Sequence, residues 1–361
     1  MDAGQIESER LLKQIERDVI GFYGEAKKDI EHKFNEFNRK TKIKEVVKRK
    51  QLKAGEITQA QFDDWLAGQI IAGERWKEQL NVLSTDLLNA HNIAQSMVNG
   101  YLPEAFAVGH NYGLYQVEKG LNMTTTFSLY DRATVQRIIK ENPQLLPKLK
   151  PLSKTAQEIR DGKIKKWAKR QIQSTCLQGI LQGQSIPEIS NRISAITLQE
   201  AKSTIRYART MVTGAENAGR IDSYKQAESM GIEVEQQWLA TLDNRTREEH
   251  REMDGEHVKI GEAFSNGCRY PGDPEGDPAS IWNCRCTLLP MLIGVDGLNN
   301  DLSDISRRES SKIAGMTYAD WKKAKPKYEP IEKQKKIGEA YKWQFIKQYK
   351  DAAERLQRVK I

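Results

Sequence analysis

The first forty residues carry the pattern that most constrains the fold of this chain. Apolar side chains recur there at steps of three and four residues, from Leu11 to Phe37, and this period marks one face of an α-helix. A helix of that length would extend about 50 Å. It would leave a long apolar stripe uncovered, so the pattern predicts packing against other helices of the chain or against another subunit.

The pattern stays helical as far as Gly231. Thr58 and Gln61 have the spacing of a capping box, which predicts the start of a helix. A segment with three prolines predicts a hinge over 142–153. With these boundaries, helices are predicted over 59–99, 103–119, 156–176, 187–195 and 198–230, the last one ending at Gly231.

Residues 232–293 show a different pattern. Three short segments, at 234–242, 257–260 and 286–292, predict strands that are connected by loops dense in Gly, Pro and Asp. The fold class that follows is mainly α with a small α+β module: an elongated helical N-terminal body, a compact C-terminal domain and a basic C-terminal helix. The predicted regions are long amphipathic helices over 1–120, a helical connecting region with the hinge over 121–199, the α+β domain over 200–293, and a polar linker with the basic helix over 294–361.

Composition excludes several classes of protein. No stretch approaches the roughly 18 apolar residues of a membrane-spanning helix. The N-terminal sequence lacks the pattern of a secretory signal, and the chain has only four cysteines, so a disulfide scaffold is not expected. We therefore expect synthesis in a reducing compartment, the cytoplasm.

The net charge of +8 is unevenly distributed along the chain. Residues 39–53 and 140–170 each carry a net charge of +7 and residues 321–361 carry +8, whereas residues 216–280 carry −8. A single lysine-rich run commonly only solvates a helix face. Three such runs around one acidic block favour an anionic partner.

The window from Trp238 to Cys286 holds most of the residues suited to metal binding. It contains two of the five histidines and three of the four cysteines. Neutral imidazole and thiolate are good zinc ligands, and zinc prefers four of them. The candidate zinc ligands are His250, His257, Cys268, Cys284 and Cys286, with Asp243 as a further candidate.

Two interpretations compete with zinc for the cysteines. The single residue between Cys284 and Cys286 makes it harder to direct both sulfurs at one ion, which favours buried free thiols and hydrogen-bonded histidines. Alternatively, Cys268 and Cys284 form a disulfide. These alternatives stay open at the level of sequence.

A hydrolytic site is a separate alternative. His250, Asp254 and Asn283 are residue types that activate water beside a divalent metal, as in a nuclease or hydrolase. Their order and spacing are not specific. The chain has no glycine-rich phosphate loop after a predicted strand and no Gly-x-Ser-x-Gly motif.

Four motifs, taken in order, resemble the C-terminal domain of the phage Mu F-like minor head proteins, also called phage head morphogenesis proteins. They are a helix over 207–218, a segment over 238–255, the loop over 270–274, and the sequence Asn-Cys-Arg-Cys at 283–286. Some relatives place a histidine shortly before the last motif, where this chain has Ile281 and Trp282. The motif residues are Trp238, Asp243, Arg245, Arg247, His250, Asp254, Gly255, Asn283, Cys284, Arg285 and Cys286.

The resemblance implies a structural component of a tailed-phage virion rather than an enzyme. Such a protein is expected inside the head at the portal vertex, where it acts in head morphogenesis and in DNA packaging or ejection. The partners implied are the portal protein, the major capsid or scaffold protein, and double-stranded phage DNA bound without sequence specificity. An oligomer through the N-terminal helices is a further expectation.

The basic runs are the expected DNA-contacting surface. The residues concerned are Arg39, Lys40, Lys42, Lys44, Lys48, Arg49, Lys50, Lys163, Lys165, Lys166, Lys169, Arg170, Lys322, Lys323, Lys325 and Lys327. Related domains also occur beside toxin modules, and the sequence is not expected to contain such a module.

Overall fold

The computed structural model describes residues 2–68, 74–121, 125, 127–142, 145–146, 154–182, 184, 186–293 and 316–325. As the sequence predicts, the fold is mainly α with a small three-stranded sheet. The described elements are α1 (Ala3–Lys53), α2 (Gln59–Ala67), α3 (Glu74–Asn99), α4 (Leu102–Gly120), α5 (Arg132–Glu141), α6 (Lys154–Leu181), α7 (Ile186–Ser229), β1 (Val234–Leu239), α8 (Glu248–Glu252), β2 (His257–Lys259), α9 (Pro278–Ile281), β3 (Thr287–Leu292) and α10 (Tyr318–Ala324).

The predicted N-terminal helix is present as α1 and is longer than the apolar pattern indicates. No Gly or Pro interrupts residues 41–53, and the chain leaves the helix at Gly55, whose φ is 71°. The predicted capping box begins α2: the Thr58 side chain accepts a hydrogen bond from the Gln61 N–H, and the Gln61 side chain accepts one from the Thr58 N–H. The predicted hinge at 142–153 lies mostly outside the described residues.

The chain divides into two compact units. The first contains residues 1–14, 98–150 and 206–361, and the second contains residues 15–97 and 151–205. In the second unit, Ile30 and Phe34 of α1 belong to one apolar core with side chains of α3, α6 and α7. The prediction that α1 packs against other helices of the chain is therefore confirmed for this part of its stripe. Oligomerisation through the helix stays a prediction.

The prediction of two helices over 187–195 and 198–230 is wrong, because α7 is a single helix. It is continuous because Ile196 and Thr197, at the predicted break, are buried and no Gly or Pro separates them. The predicted end is right, since Gly231 follows the helix with φ of 88°.

The sheet lies in the first unit and has the order β2-β1-β3, with both pairs antiparallel. Gln236 of the central strand is fully buried, and its side-chain amide donates to the carbonyls of Glu262 and Arg269. Strand β1 ends at Leu239 rather than at the predicted residue 242, because the Ala240 N–H donates to the Asp254 carboxylate at 2.9 Å. This bond turns the chain toward α8.

Helices α4 and α7 are in backbone contact within the first unit. A Cβ atom at Gly109 would lie 1.8 Å from the Glu216 carbonyl oxygen, and one at Gly219 would lie 2.1 Å from the Phe106 carbonyl oxygen. Only glycine permits this approach. Helix α4 also packs against β3, so the pair of helices forms the support of the sheet.

A buried arginine joins four parts of the first unit. Arg220 of α7 is inaccessible to solvent, and its Nη2 lies 3.0 Å from Asp2 Oδ2 and 2.8 Å from Glu216 Oε1. Its Nη1 donates to Gln116 Oε1 and to the Leu288 carbonyl, both at 3.1 Å. The start of the chain, α4, α7 and β3 therefore meet at one guanidinium.

The structure of residues 316–325 shows that Lys325, one of the predicted DNA contacts, is buried. Tyr318 and Trp321 are buried, and the Lys325 ammonium donates to the Glu118 carboxylate and to the Thr125 carbonyl. Lys325 is only 7% exposed and therefore cannot contact phosphate in this conformation. Lys327, the predicted linker over 294–315 and the rest of the predicted C-terminal helix lie outside the described residues. Among the helices that are described, none has the length and apolar character needed to cross a bilayer.

Candidate functional site

Three of the five predicted zinc ligands meet beside the sheet. His250 lies in α8, and Cys284 and Cys286 lie just before β3. The His250 Nδ1 atom is 3.3 Å from the Cys286 sulfur and 3.7 Å from the Cys284 sulfur. All three side chains are buried, and elsewhere in the described residues no three His, Cys, Asp or Glu side chains gather closely enough to hold one metal ion.

The other two predicted zinc ligands, His257 and Cys268, lie outside this cluster, so the predicted set of five ligands is wrong in these two residues. His257 lies in β2, where its Nδ1 is 2.6 Å from Glu235 Oε2 on the neighbouring strand. Cys268 is buried against Gly276 and belongs to no such group. All four cysteines are within the described residues and are free thiols, so the alternative of a disulfide between Cys268 and Cys284 is wrong.

The two cluster sulfurs face the same histidine because the backbone around them is tightly held. The Thr213 hydroxyl donates to the Cys284 carbonyl at 3.2 Å, and the Asn217 amide donates to the Cys286 carbonyl at 3.4 Å. Arg285, between the two cysteines, extends away from them and makes a bidentate ion pair with Asp243, with distances of 2.5 and 2.7 Å. One intervening residue is therefore sufficient to bring both sulfurs to His250.

The side chains of the cluster also shift the pKa values of the two cysteines. A hydrogen bond from the Cys284 thiol lowers the pKa of Cys286 and raises that of Cys284, while the nearby His250 lowers the pKa of Cys286 further. Hydrogen bonds from Arg285 and from the Arg245 N–H hold the pKa of Asp243 well below its ordinary value. The cluster thus favours one thiolate.

A cavity of about 390 Å³ opens onto the cluster. Four of its lining residues are arginines, and the acidic side chain among the lining residues is Glu9. Its lining consists of Glu9, Leu12, Arg209, Thr213, Thr241, Arg245, Thr246, Arg247, His250, Asn283, Cys284, Arg285 and Cys286. The cavity is therefore a cationic, hydroxyl-rich space with the imidazole and thiols in its wall.

The three residues of the predicted hydrolytic site, His250, Asp254 and Asn283, do not come together in one site. His250 and Asn283 line the cavity, but Asp254 does not, and its carboxylate accepts the Ala240 N–H instead. Asn283 has φ of 56°, the left-handed conformation that turns the chain into the cysteine segment. The described positions of these residues thus favour a structural role for Asp254 and Asn283.

Sequence reasoning missed the role of Asn217 in α7, which holds the backbone beside the site. The Asn217 side chain donates to the Pro271 carbonyl and accepts from the Leu288 N–H at 2.9 Å, so it joins the loop over 270–274 to β3. It lies in the helical motif singled out above. Its place in that motif was the available signal.

The loop over 270–274 is closed by a buried carboxylate. Asp273 accepts hydrogen bonds from the Arg269 N–H, Nε and Nη2 and from the Glu275 N–H, at 2.8–3.1 Å. Burial raises the pKa of Asp273, but these hydrogen bonds outweigh it, and the pKa lies below its ordinary value. The charged form is thus the one that stabilises the loop.

We expect Asp273→Asn to lower the free energy of unfolding at pH 7 by about 1–3 kcal/mol, because it removes charge-assisted bonds. A lowered pKa contributes stability above the ordinary value near 3.9 and loses it as pH falls through the lowered value. The difference between wild type and variant should therefore shrink as the pH falls from about 5 to about 2. Urea denaturation at several pH values measures it. Glu275→Gln, at an exposed neighbour, is the control, and a constant difference across this pH range would contradict the assignment.

The four motifs lie within the region of the chain that matches a known family. Residues 170–289 match the family described as Phage Mu protein F like protein. The chain is 25% identical over 279 residues to the minor head protein GP7 of Bacillus phage SPP1, a match that covers 76% of this chain and 83% of that protein. The predicted resemblance is confirmed: residues 170–289 match the phage Mu F-like proteins, and the chain is similar over most of its length to a phage minor head protein.

A second relative is a bacterial protein. The chain is 27% identical over 238 residues to the NAD(+)--arginine ADP-ribosyltransferase EFV of Enterococcus faecalis (strain ATCC 700802 / V583), a match that covers 65% of this chain. The chain spans only 46% of that relative's length. No solved structure matches the chain.

Proposed function

We propose that this chain is a structural minor head protein of a phage virion. It associates with the portal, contacts packaged DNA through its basic helices, and acts in head morphogenesis and DNA packaging or ejection from the interior of the head. The family supports the head role, and one surface of the second unit supports the contact with DNA. Lys163, Lys166 and Arg170 are exposed and follow one another at steps of three and four residues along α6, so they share one helix face. This cationic face is the observation that carries the proposal.

The rest of the described basic surface adds to the same proposal. Arg39, Lys44 and Lys50 of α1 are exposed, as is Lys323 of α10, and Lys165 and Lys169 of α6 are half-buried. The side chains of Lys40 and Lys42 are outside the described residues. Phosphate contacts of this kind carry no sequence information, which suits a protein that contacts any part of a genome.

A role without catalysis is part of the proposal. The ADP-ribosyltransferase name belongs to the enterococcal relative, and more than half of that protein lies outside the match with this chain. The three residues of the hydrolytic alternative do not converge on the cavity, since Asp254 is bonded to the backbone of Ala240. The cavity therefore supports a structural or binding role better than hydrolysis.

The DNA contact is tested by the salt dependence of binding to a fluorescent 30-base-pair duplex of arbitrary sequence. Changing Lys163, Lys166 and Arg170 together to Ala should weaken binding and reduce the slope of log affinity against log salt by about 2–3, because each phosphate contact contributes about 0.9. The matched control changes Lys225, Arg251 and Lys259 to Ala, three exposed cations of the acidic block. Equal slopes for the two triple variants would contradict the proposal.

The portal contact is tested by co-expression with the portal protein of the same phage. We expect the two proteins to co-purify and to remain together at a salt concentration that removes DNA. Separation of the two after nuclease treatment would show that DNA alone joined them, and would overturn the portal part of the proposal.

A further inference from the structure

The cluster of His250, Cys284 and Cys286 has the donor chemistry of a zinc site. Two sulfurs and one imidazole nitrogen are the soft and borderline ligands that zinc prefers, and the described ligand atoms lie within 4.8 Å of one another. Their convergence brings together two separate parts of the chain, α8 and the segment before β3. A shared function explains this convergence more directly than core packing does.

The distances also match a tetrahedral ion. With Zn–S near 2.3 Å and Zn–N near 2.0–2.1 Å, a nitrogen and a sulfur on the same zinc are about 3.5 Å apart. The observed separations from His250 Nδ1 are 3.3 Å to the Cys286 sulfur and 3.7 Å to the Cys284 sulfur. Only small side-chain movements are needed to place one ion between the three atoms.

The second ring nitrogen of His250 supports the same arrangement. Its Nε2 atom is buried and makes no hydrogen bond within the described residues, but it lies 3.5 Å from Glu249 Oε1. A histidine that binds metal through one nitrogen commonly directs the N–H of the other toward a carboxylate. With Nδ1 on the metal, the Nε2 proton would face Glu249.

The fourth ligand of a zinc ion at this cluster would come from the cavity. Three protein ligands leave a fourth tetrahedral position, and the same three residues form part of the wall of the arginine-lined cavity. Zinc that is held by three protein ligands commonly keeps water or another small ligand in its fourth position. The surrounding Arg209, Arg245 and Arg247 favour an anion at that position.

We propose that His250, Cys284 and Cys286 bind one Zn²⁺ ion whose fourth position faces the cavity and accepts water or a small inorganic anion. The proposal does not depend on the contact with DNA or portal. The Trp238 indole, whose ring packs edge-on against the His250 imidazole at 5.6 Å, shields the side of the site that faces the core.

Metal analysis of untagged protein purified from zinc-supplemented cells is the first test. We expect one zinc per chain, and replacement by Co²⁺ should give a thiolate-to-cobalt charge-transfer band and the intense visible bands of a tetrahedral site. Adding sodium azide should shift the visible bands, because azide can enter the fourth position. A cobalt spectrum that does not respond to azide would overturn the open position.

Variants separate the ligands from the other thiols. Cys284→Ser, Cys286→Ser and His250→Ala should each lose the stoichiometric zinc, whereas Cys268→Ser, at a buried thiol outside the cluster, should keep it. If the ligand variants fail to fold, the wild-type cobalt spectrum still decides the matter. Wild-type protein with neither zinc nor tetrahedral cobalt bands, or with a Cys284–Cys286 disulfide by mass in the presence of zinc, would overturn the proposal.

Discussion

Arg220→Met is expected to lower the free energy of unfolding by about 3–5 kcal/mol, because it leaves two buried carboxylates without their cation. Asp2 and Glu216 are both almost inaccessible to solvent and both lie within 3.0 Å of the guanidinium. Burial raises the pKa of Glu216, and Arg220 acts against this effect. Without the arginine, Glu216 should take up a proton more readily, so part of the lost stability should return as the pH is lowered.

Urea denaturation followed by circular dichroism measures this effect. Arg206→Met is the matched control, since Arg206 is exposed on the same helix and its loss should change stability by less than about 0.5 kcal/mol. Adding Asp2→Asn and Glu216→Gln to Arg220→Met should recover much of the loss, because the triple variant buries no unpaired charge. Equal losses for the two arginine variants would contradict the buried network.

Gly219→Ala is expected to destabilise the first unit by about 3 kcal/mol, because its methyl group would overlap the α4 backbone. The added Cβ would lie 2.1 Å from the Phe106 carbonyl oxygen, and a carbonyl in a helix cannot move aside as a flexible side chain would. Gly109→Ala should act in the same way through Glu216. The two effects should add less than fully, since separating α4 from α7 relieves both overlaps.

Gly162→Ala is the control for this experiment, because it is expected to raise the free energy of unfolding rather than to lower it. Gly162 lies in α6, and a Cβ atom there meets no other atom within 4 Å. The same substitution should therefore stabilise the protein by about 1 kcal/mol through helix propensity alone. Thermal or urea unfolding of both variants gives the comparison, and a stabilised Gly219→Ala protein would show that α4 and α7 are not in backbone contact.

The sequence predicts the helices well because their signals are local. The apolar steps of α1, the capping box at Thr58 and the glycine end at Gly231 each act within a few residues of the chain, and all three are confirmed. The errors arise where tertiary contacts decide. Burial of Ile196 and Thr197 carries α7 through a predicted break, and the bond from Ala240 to Asp254 shortens β1.

The site is predictable only as a set of candidates. Residue type and order single out His250, Cys284 and Cys286, but His257 and Cys268 have equal standing until the tertiary structure places them elsewhere. Arg220 is one of several arginines in an acidic region, and nothing local distinguishes it from an exposed one such as Arg251. Lys325 illustrates the same limit, because its partner Glu118 lies 207 residues away.

The Arg220 network also sets an order of events during synthesis. Asp2 leaves the ribosome before Arg220, which follows 218 residues later. At a translation rate of about 5–20 residues per second, Arg220 is synthesised roughly 10–40 s after Asp2. The first unit therefore cannot close around its guanidinium until Arg220 has emerged, and β3, which supplies the last acceptor, emerges later still. A chaperone that binds nascent chains would encounter the Asp2 carboxylate before its Arg220 partner is available.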